Sequence, residues 1–386
     1  MTLGIVTDCT HYKDENGMVC TENHILLRQL QQLSVNFDKT IIACPFGKFD
    51  SSKVVTVYNN QNIHFEPLPL VGGESFSDKI VLLKTFPKWL NAFQFLNKHS
   101  DVVYQRFPNN LNIPGFIFFW LKRKKVFATY TGTWRGYKGE PFTYKLQRWI
   151  LNNPFRGPVW VYDEKQNASK KIKAGFSPSY NLADWEEEEL QVKQRIKNIE
   201  NGSLSVYRFI TVGTLINYKN QLAIVEACKV LKLKGVPFTL TIVGDGPMRN
   251  EIENYILNEG LQKQIFLAGK KNHRELRQLY RENDFIIQAP LKEGFGKVPI
   301  EGFFHGVIPI INQISMASAM IGNGERGFLF DANEPGNLET TLLNLPSHAS
   351  SFSSMIINGR AYARDQTLEA WASDYYTTIG SYYNEI

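Results

Sequence analysis

The sequence predicts an α/β protein built as two doubly wound, parallel-sheet domains, and three observations predict it. Short apolar runs alternate with longer amphipathic segments along most of the chain. The alternation breaks over residues 184–204, where Glu186–Glu189 form a charge run and Asn201-Gly-Ser gives a turn signal. At 386 residues the chain also exceeds the length at which one hydrophobic core keeps growing.

Taken in order, Leu3–Val6, Thr40–Cys44, Val102–Gln105, Val126–Thr131 and Val159–Tyr162 are short and apolar, as strands covered on both faces should be. Between them, Glu22–Leu33, Lys84–Lys98, Gly115–Lys124 and Phe142–Asn152 carry apolar residues at helical spacing. These elements form a first domain over residues 1–190, followed by a linker over 191–205. The rhythm restarts in a second domain, 206–365, with Tyr207–Val212, Gln221–Leu233, Phe238–Val243, Met248–Asn258, Ile265–Leu267 and Glu275–Arg281. It continues through Phe285–Ile287, Val298–Phe304, Val307–Ile311 and Gly327–Phe330. No repeat or heptad array interrupts the pattern.

Composition excludes several classes. Cys9, Cys20, Cys44 and Cys228 form no CxxC pair, which argues against a disulfide scaffold and a zinc site and for a reducing, cytoplasmic setting. The N-terminus reads as a strand and lacks the features of a signal peptide. The longest apolar run, Ile113–Leu121, contains Pro114 and is too short to span a bilayer. A net charge of +6 is compatible with an anionic ligand, a nucleic acid or an anionic membrane. No nucleic-acid-binding module accompanies that charge, so no nucleic-acid partner is expected. In Phe116–Lys125, aromatics precede four bases; the favoured reading is an inward helix followed by an exposed charge run, with peripheral contact to an anionic membrane as the alternative. Neither half has a GxGxxG after its first strand, which disfavours a dinucleotide oxidoreductase.

In doubly wound sheets, ligands bind at loops following the carboxyl ends of strands. In the second domain these are Gly213–Asn220, Gly244-Asp-Gly-Pro247, Gly269-Lys-Lys271 and Glu293-Gly-Phe-Gly-Lys-Val-Pro-Ile-Glu301. The last places two carboxylates around a glycine-bracketed turn. Gly294 and Gly296 admit positive φ and close approach of a ligand to the backbone, and Pro299 suits a first helical turn. Glu293 is therefore expected on a loop, and Glu301 in the first turn of the following helix beside amides that favour an anion.

With these residues in hand, the second half resembles a retaining glycosyltransferase of family 4, whose fold, GT-B, has two facing Rossmann-like domains. The resemblance runs through Val212-Gly-Thr-Leu-Ile-Asn-Tyr-Lys-Asn220, Val243-Gly-Asp-Gly-Pro247, Glu275-Leu-Arg-Gln-Leu-Tyr280, the Glu293–Glu301 motif and Gly327-Phe-Leu-Phe330. Leu368–Tyr376 is similar to the family's closing helix, which implies that a C-terminal helix, 366–386, crosses back to complete the first domain. The resemblance implies a nucleotide-diphosphate-sugar donor held mainly by the second domain, with Lys219 on the pyrophosphate, Glu301 on the ribose and Glu293 on the sugar. Gly213, Thr214, Gly244, Gly246, Phe295, Gly296, Lys297 and Val298 complete the expected donor site, and Glu293 and Lys219 are the expected catalytic pair. No metal or cofactor is implied.

The chain departs from the family pattern at Thr214, where an arginine is usual, with Arg326, Lys270, Lys271 and Arg135 as candidate replacements. It departs again in Ser315-Met-Ala-Ser-Ala319, where the usual glycine pair and glutamate are absent. In the first domain, Gly17 lies in the loop before a helix expected to be capped by Thr21, where relatives approach the donor phosphate. The usual histidine after the strand ending at Thr131 is replaced by Gly132-Thr-Trp-Arg-Gly136. His11, Arg106, Thr131, Gly132 and Arg135 are the expected acceptor residues. The expected function is transfer of a sugar to a hydroxyl of a glycan or lipid-linked glycan, as in cell-surface polysaccharide synthesis, in the cytoplasm or at the inner face of the plasma membrane. The alternatives are a nucleotide-sugar epimerase and an inactive carbohydrate-binding or scaffold relative.

Overall fold

A computed structural model describes residues 1–51, 53–70, 76–137, 139–163, 171–202 and 204–383. The chain forms two compact units: residues 1–179 with the C-terminal helix, and Tyr180–Thr367. In chain order the first stretch gives β1 (Thr2–Val6), β2 (Tyr12–Lys13), β3 (Val19–Thr21), α1 (His24–Ser34), β4 (Lys39–Pro45), β5 (Thr56–Val57) and β6 (Ile63–Leu68). It continues with α2 (Phe76–His99), β7 (Val102–Phe107), α3 (Asn112–Leu121), β8 (Lys125–Tyr130), α4 (Phe142–Asn152), β9 (Val159–Val161) and β10 (Ile172–Ala174). The second unit contains α5 (Leu182–Glu187), α6 (Glu189–Glu200), β11 (Tyr207–Val212), α7 (Gln221–Leu233), β12 (Phe238–Val243), α8 (Arg249–Asn258), β13 (Ile265–Gly269) and α9 (His273–Glu282). After these come β14 (Phe285–Gln288), α10 (Lys297–Phe304), β15 (Ile308–Asn312), α11 (Ala317–Ile321), β16 (Phe328–Phe330), α12 (Asn337–Leu343) and α13 (Phe352–Arg364), and α14 (Leu368–Tyr383) closes the chain.

The first unit's main sheet has the order β10-β9-β8-β7-β1-β4-β6 and the second unit's β13-β12-β11-β14-β15-β16, with parallel pairing throughout both. Each is a doubly wound sheet in which chain order reverses beside the first strand, β1 or β11. Strands such as β4 and β14 are buried almost throughout, because helices cover both faces. The edge strand β6 escapes a reading by apolar runs: His64, Glu66 and Pro67 break the pattern that an interior strand would show.

α14 belongs to the first unit, and its chemistry explains why. Trp371, Ala372, Tyr375 and Ile379 are buried in the same core as α1 and β1. Tyr375 stacks on Trp160 at 3.9 Å and bonds Thr129 Oγ1 at 2.8 Å, while Trp160 Nε1 donates to Asp374 Oδ2 at 2.6 Å. Residues 384–386 of the expected closing helix lie outside the described residues.

Three expectations need correction. The expected linker, 191–205, is mostly α6, whose Val192 and Ile196 pack into the second unit's core; the division falls at Ser179/Tyr180. Its polar sequence reads as a linker because only one stripe of the helix is covered; Ser203, in the turn signal, lies outside the described residues. Thr21 does not cap a helix: it lies in β3, and α1 is capped by Asn23, whose side chain accepts from Leu26 N. Glu301 is not in a first turn, since α10 begins at Lys297 and places Glu301 one turn further in.

Candidate active site

The candidate site is assembled at the carboxyl ends of β11 and β14, where the second sheet's order reverses. β11 ends at Val212, and the chain then makes an extended loop and a single 3₁₀ turn, Asn217–Lys219, before α7. Asn220 takes a left-handed φ of +57°, a conformation asparagine tolerates better than most residues, and so turns the chain into α7. β14 ends at Gln288, and its loop runs to Gly296, which caps α10 with φ +75°. Leu291 N donates to Tyr218 O at 2.7 Å and thereby fastens one loop to the other.

That fastening places Lys219 beside Glu293. The ammonium donates to Glu293 Oε2 at 2.5 Å, and Gly294 N donates to Glu293 Oε1 at 3.1 Å, so both carboxylate oxygens are engaged. The Lys219 and Glu293 side chains are 20% and 25% exposed, which leaves the pair reachable by a ligand yet only partly screened by water. Phe295 is buried beneath the loop, while Gly296, Lys297 and Val298 bring the positive end of α10 to the same place. A small cavity lined by Glu293, Phe295, Gly296, Asn312 and Ser315 lies under this turn.

Gly244 and Gly246 owe their identity to backbone crowding, whereas a Cβ at Gly213 would meet only Gln221 Nε2 at 3.6 Å, an ordinary contact. A Cβ at Gly244 would stand 1.9 Å from Gly213 O, and one at Gly246 would stand 2.4 Å from Leu215 O. The two loops are stitched by Gly213 N to Val243 O at 3.0 Å and Leu215 N to Asp245 O at 3.1 Å. Thr214 is exposed, and its carbonyl accepts from Gln221 Nε2 at 3.0 Å.

Glu301 is buried one turn below, where Oε2 accepts from Tyr280 Oη at 3.0 Å. The Tyr280 ring stacks on His305 at 5.1 Å, and His305 Nδ1 lies 3.1 Å from Glu188 Oε2. Arg277 and Arg281 each reach Glu188 Oε1 at 2.6 Å. Burial pushes the Glu188 carboxyl up, but His305, Arg281 and Arg277 outweigh it and hold the group well below its usual range. This charged hub fixes α9 against α5 and α10, and so fixes Glu301.

Sequence reasoning missed Gln288, Asn312 and Ser315, which hold the loops. Gln288 Nε2 donates to Val212 O at 3.2 Å and links the two strands at the reversal. Asn312 bridges two loops by donating to Pro290 O at 2.8 Å and accepting from Ala332 N at 2.9 Å. Each is a polar residue ending an otherwise apolar strand, a signal that could have found it. Ser315 takes the left-handed φ of +52° that glycine ordinarily fills and bonds Gly294 O. Three of the four candidate replacements for the missing arginine, Arg326, Lys271 and Arg135, are engaged elsewhere. Arg326 donates to Met320 O and Ala319 O at 2.6 Å each and closes α11, Lys271 pairs with Glu275 at 3.3 Å, and Lys270 is exposed. Among the described residues, no three His, Cys, Asp or Glu side chains gather as a metal site requires.

The expected residues of the first unit fare differently. His11 is fully buried among Phe46, Tyr58 and Phe65, so it is corrected from an acceptor candidate to a core residue. Burial lowers its pKa to about 4; the neutral ring donates through Nδ1 to Cys9 O at 2.8 Å and accepts at Nε2 from Tyr58 Oη at 3.0 Å. Gly17 turns the hairpin between β2 and β3 with φ +76°. Arg106 reaches Gln29 Oε1 at 3.3 Å, and Thr131 donates to Phe107 O through N at 2.7 Å and Oγ1 at 3.1 Å. Gly132 leaves room for the Tyr130 ring, and Arg135 makes a two-pronged pair with Asp163 at 2.8 Å per contact.

The two parallel-sheet units and the returning helix define an α/β protein of the GT-B fold. Residues 192–361 match the family model for glycosyl transferases group 1. A glycosyltransferase of Methanocaldococcus jannaschii described as uncharacterized is 25% identical over 159 residues, 41% of this chain and 44% of that one. The amylovoran biosynthesis glycosyltransferase AmsK of Erwinia amylovora is 24% identical over 160 residues, 40% of this chain and 39% of that one. The matched stretch thus spans less than half the length of either relative. Among solved structures, Anabaena HepE in complex with UDP and glucose superposes with a TM-score of 0.71 at 14% identity, covering 98% of this chain and 99% of HepE. Sucrose-phosphate synthase of Thermosynechococcus elongatus gives 0.70 at 15% identity with both chains covered at 100%.

Proposed function

We propose that the chain is a retaining glycosyltransferase that moves a sugar from a nucleotide-diphosphate carrier to a hydroxyl of a glycan or lipid-linked glycan. The observation that carries this reading is the Lys219–Glu293 contact at the reversal of the second sheet, beside the start of α10. A diphosphate gathers negative charge as it leaves, and a lysine with helix N-terminal amides stabilises that charge more in the transition state than before it. Glu293 then accepts from sugar hydroxyls near the reacting carbon, and Glu301, with one oxygen committed to Tyr280, accepts from the ribose. In this reading Glu293 acts by positioning the sugar rather than as a nucleophile. The acceptor proton passes to the departing phosphate oxygen while the new bond forms on the same face of the sugar.

The UDP and glucose bound by HepE support uridine diphosphate sugars as the first donors to try. With Lys219 and α10 supplying the positive charge, the reaction proceeds without a metal and survives chelation. Peripheral membrane contact belongs to the same reading, since a lipid-linked acceptor lies at a membrane surface and Ile117, Trp120 and Leu121 are exposed beside the basic run Lys122–Lys125. Thermal denaturation against a panel of nucleotide sugars tests the donor. A true donor at a hundred times its dissociation constant stabilises by about 2.7 kcal/mol. Chromatography of that donor with and without acceptor tests the reaction: a new nucleotide sugar formed without acceptor would replace transfer with epimerisation, and binding without turnover would leave a carbohydrate-binding scaffold.

A further inference from the structure

The first unit contains a second pocket that the transfer reaction does not use. It has a volume of about 270 Å³, near the lower end for small-molecule sites, and opens between α3, the start of β8 and the end of α14. Its polar floor is Gln105 of β7, which is completely buried and has no hydrogen-bond partner among the described residues for either Nε2 or Oε1. Gly115 of α3 makes room for this amide, since a Cβ there would stand 3.2 Å from Nε2. Buried polar side chains are rarely left in that state, and a glutamine offers two donors and an acceptor to whatever fills the space.

The walls and rim add the rest of a recognition pattern. Phe116 and Trp120, one helical turn apart on α3, give an apolar wall, and the Arg156 guanidinium lies 4.8 Å from the centre of the Trp120 ring. Arg123, Lys124 and Lys125 complete the lining, which contains no carboxylate. The Lys124 ammonium is tied to Asn97 O and Ser100 O, and that of Lys125 lies over the Tyr383 ring, so Arg123 and Arg156 are the cations best placed to grip an anion.

We infer that this pocket binds a small organic anion with three parts: a neutral hydrogen-bonding tip for Gln105, an apolar middle for Phe116 and Trp120, and a phosphate or carboxylate for Arg123 and Arg156. The inference stands apart from the transfer chemistry, because no pocket residue belongs to the Lys219–Glu293 site, although Trp120 and Arg123–Lys125 also lie on the surface proposed to meet a membrane.

4-Hydroxyphenyl phosphate carries all three parts and serves as the probe, with phenyl phosphate, hydroquinone and inorganic phosphate as controls that each lack at least one. Titration calorimetry of the full chain should show saturable binding of the probe at least tenfold tighter than any control. Gln105→Leu should weaken the probe about tenfold while changing phenyl phosphate little, and Arg156→Gln should weaken both phosphates. Displacement of the probe by phosphatidylglycerol vesicles assigns the anion to a lipid headgroup, whereas persistence assigns it to a free solute; both keep the pocket. No saturable binding at millimolar probe, or equal binding by wild type and Arg156→Gln, would overturn the inference. Arg156 is on the rim, so its variant decides the matter even where Gln105→Leu fails to fold.

Discussion

Replacing Glu293 by glutamine should separate binding from turnover, in a direction that a simple loss of a binding residue cannot mimic. At rest Lys219 already bonds Glu293 at 2.5 Å, so a diphosphate must exchange that contact for its own. A charge-assisted hydrogen bond contributes about 1.5–3 kcal/mol, and each 1.36 kcal/mol is a factor of ten. Because one such bond is surrendered when another forms, Lys219→Ala should weaken uridine diphosphate by only about tenfold, the low end of that range. Glu293→Gln removes the carboxylate that competes for Lys219 and repels the phosphates. Uridine diphosphate should then bind roughly three- to tenfold more tightly than to wild type, a fraction of the same bond energy. Turnover should nevertheless fall by about a hundredfold or more, as expected when a contact made to the reacting sugar is lost. Titration calorimetry gives the first quantity and nucleoside diphosphate release the second, with thermal melts as the folding control. Weaker diphosphate binding by Glu293→Gln, or turnover within threefold of wild type, would refute the exchange.

Gly244→Ala forces a Cβ to within 1.9 Å of Gly213 O at a φ of +134°, and should cost about 2–4 kcal/mol in urea unfolding and displace the loop that carries Lys219; an unchanged midpoint would remove the crowding argument. His11 gives the first unit a pH dependence. Its folded pKa of about 4 is below the usual value of 6.5, so its contribution is complete above about pH 6.5 and is lost as pH falls toward 4. At about 1.36 kcal/mol per pH unit that contribution is about 3 kcal/mol, and His11→Phe should flatten the fall in stability between pH 6.5 and 4; an identical slope in both proteins would contradict it. Tyr375→Ala should cost about 3–5 kcal/mol, because the ring is fully buried against Trp160 and its hydroxyl bonds Thr129. Near-UV circular dichroism during denaturation reads that loss, and a cost below about 1 kcal/mol would mean that α14 is not part of the first unit's core.

How far the sequence reveals this molecule depends on what kind of interaction decides each feature. Interior parallel strands such as Tyr207–Val212 and Phe238–Val243 were legible to the residue, because apolar and β-branched side chains recur through each short segment. The edge strand β6 and the half-covered helix α6 were not, because an element covered on one side keeps enough polar residues to resemble a loop or linker. At the site, Glu293 and Lys219 were legible as separate loop residues, but their contact depends on Leu291 N bonding Tyr218 O, a backbone link that no residue type encodes. His11 shows the reverse limit: an imidazole in a loop reads as a ligand or base until three aromatic rings close around it.

The glycines sharpen the point. Gly244 and Gly246 would serve a ligand equally well by exposing amides, yet the carbonyls of Gly213 and Leu215 already occupy the space where a Cβ would go. Their absence of side chains is therefore required before any donor arrives, and what it secures is the position of the β11 loop. Gly296 differs: a Cβ there would meet only Glu293 Cγ at 3.5 Å, an ordinary contact, so crowding does not demand glycine. What demands it is a φ of +75° at the cap of α10, the turn that lets Glu293 fold back onto Lys219 while the helix start faces the same space. An alanine at 246 should thus act through stability, and one at 296 through the geometry of the pair. Gly296→Ala is expected to cost about 1–2 kcal/mol of backbone strain, and a larger share of its effect should fall on turnover than on the unfolding midpoint. Equal partition of the two effects in both variants would show that the loops move as one body and that the distinction between them has no functional meaning.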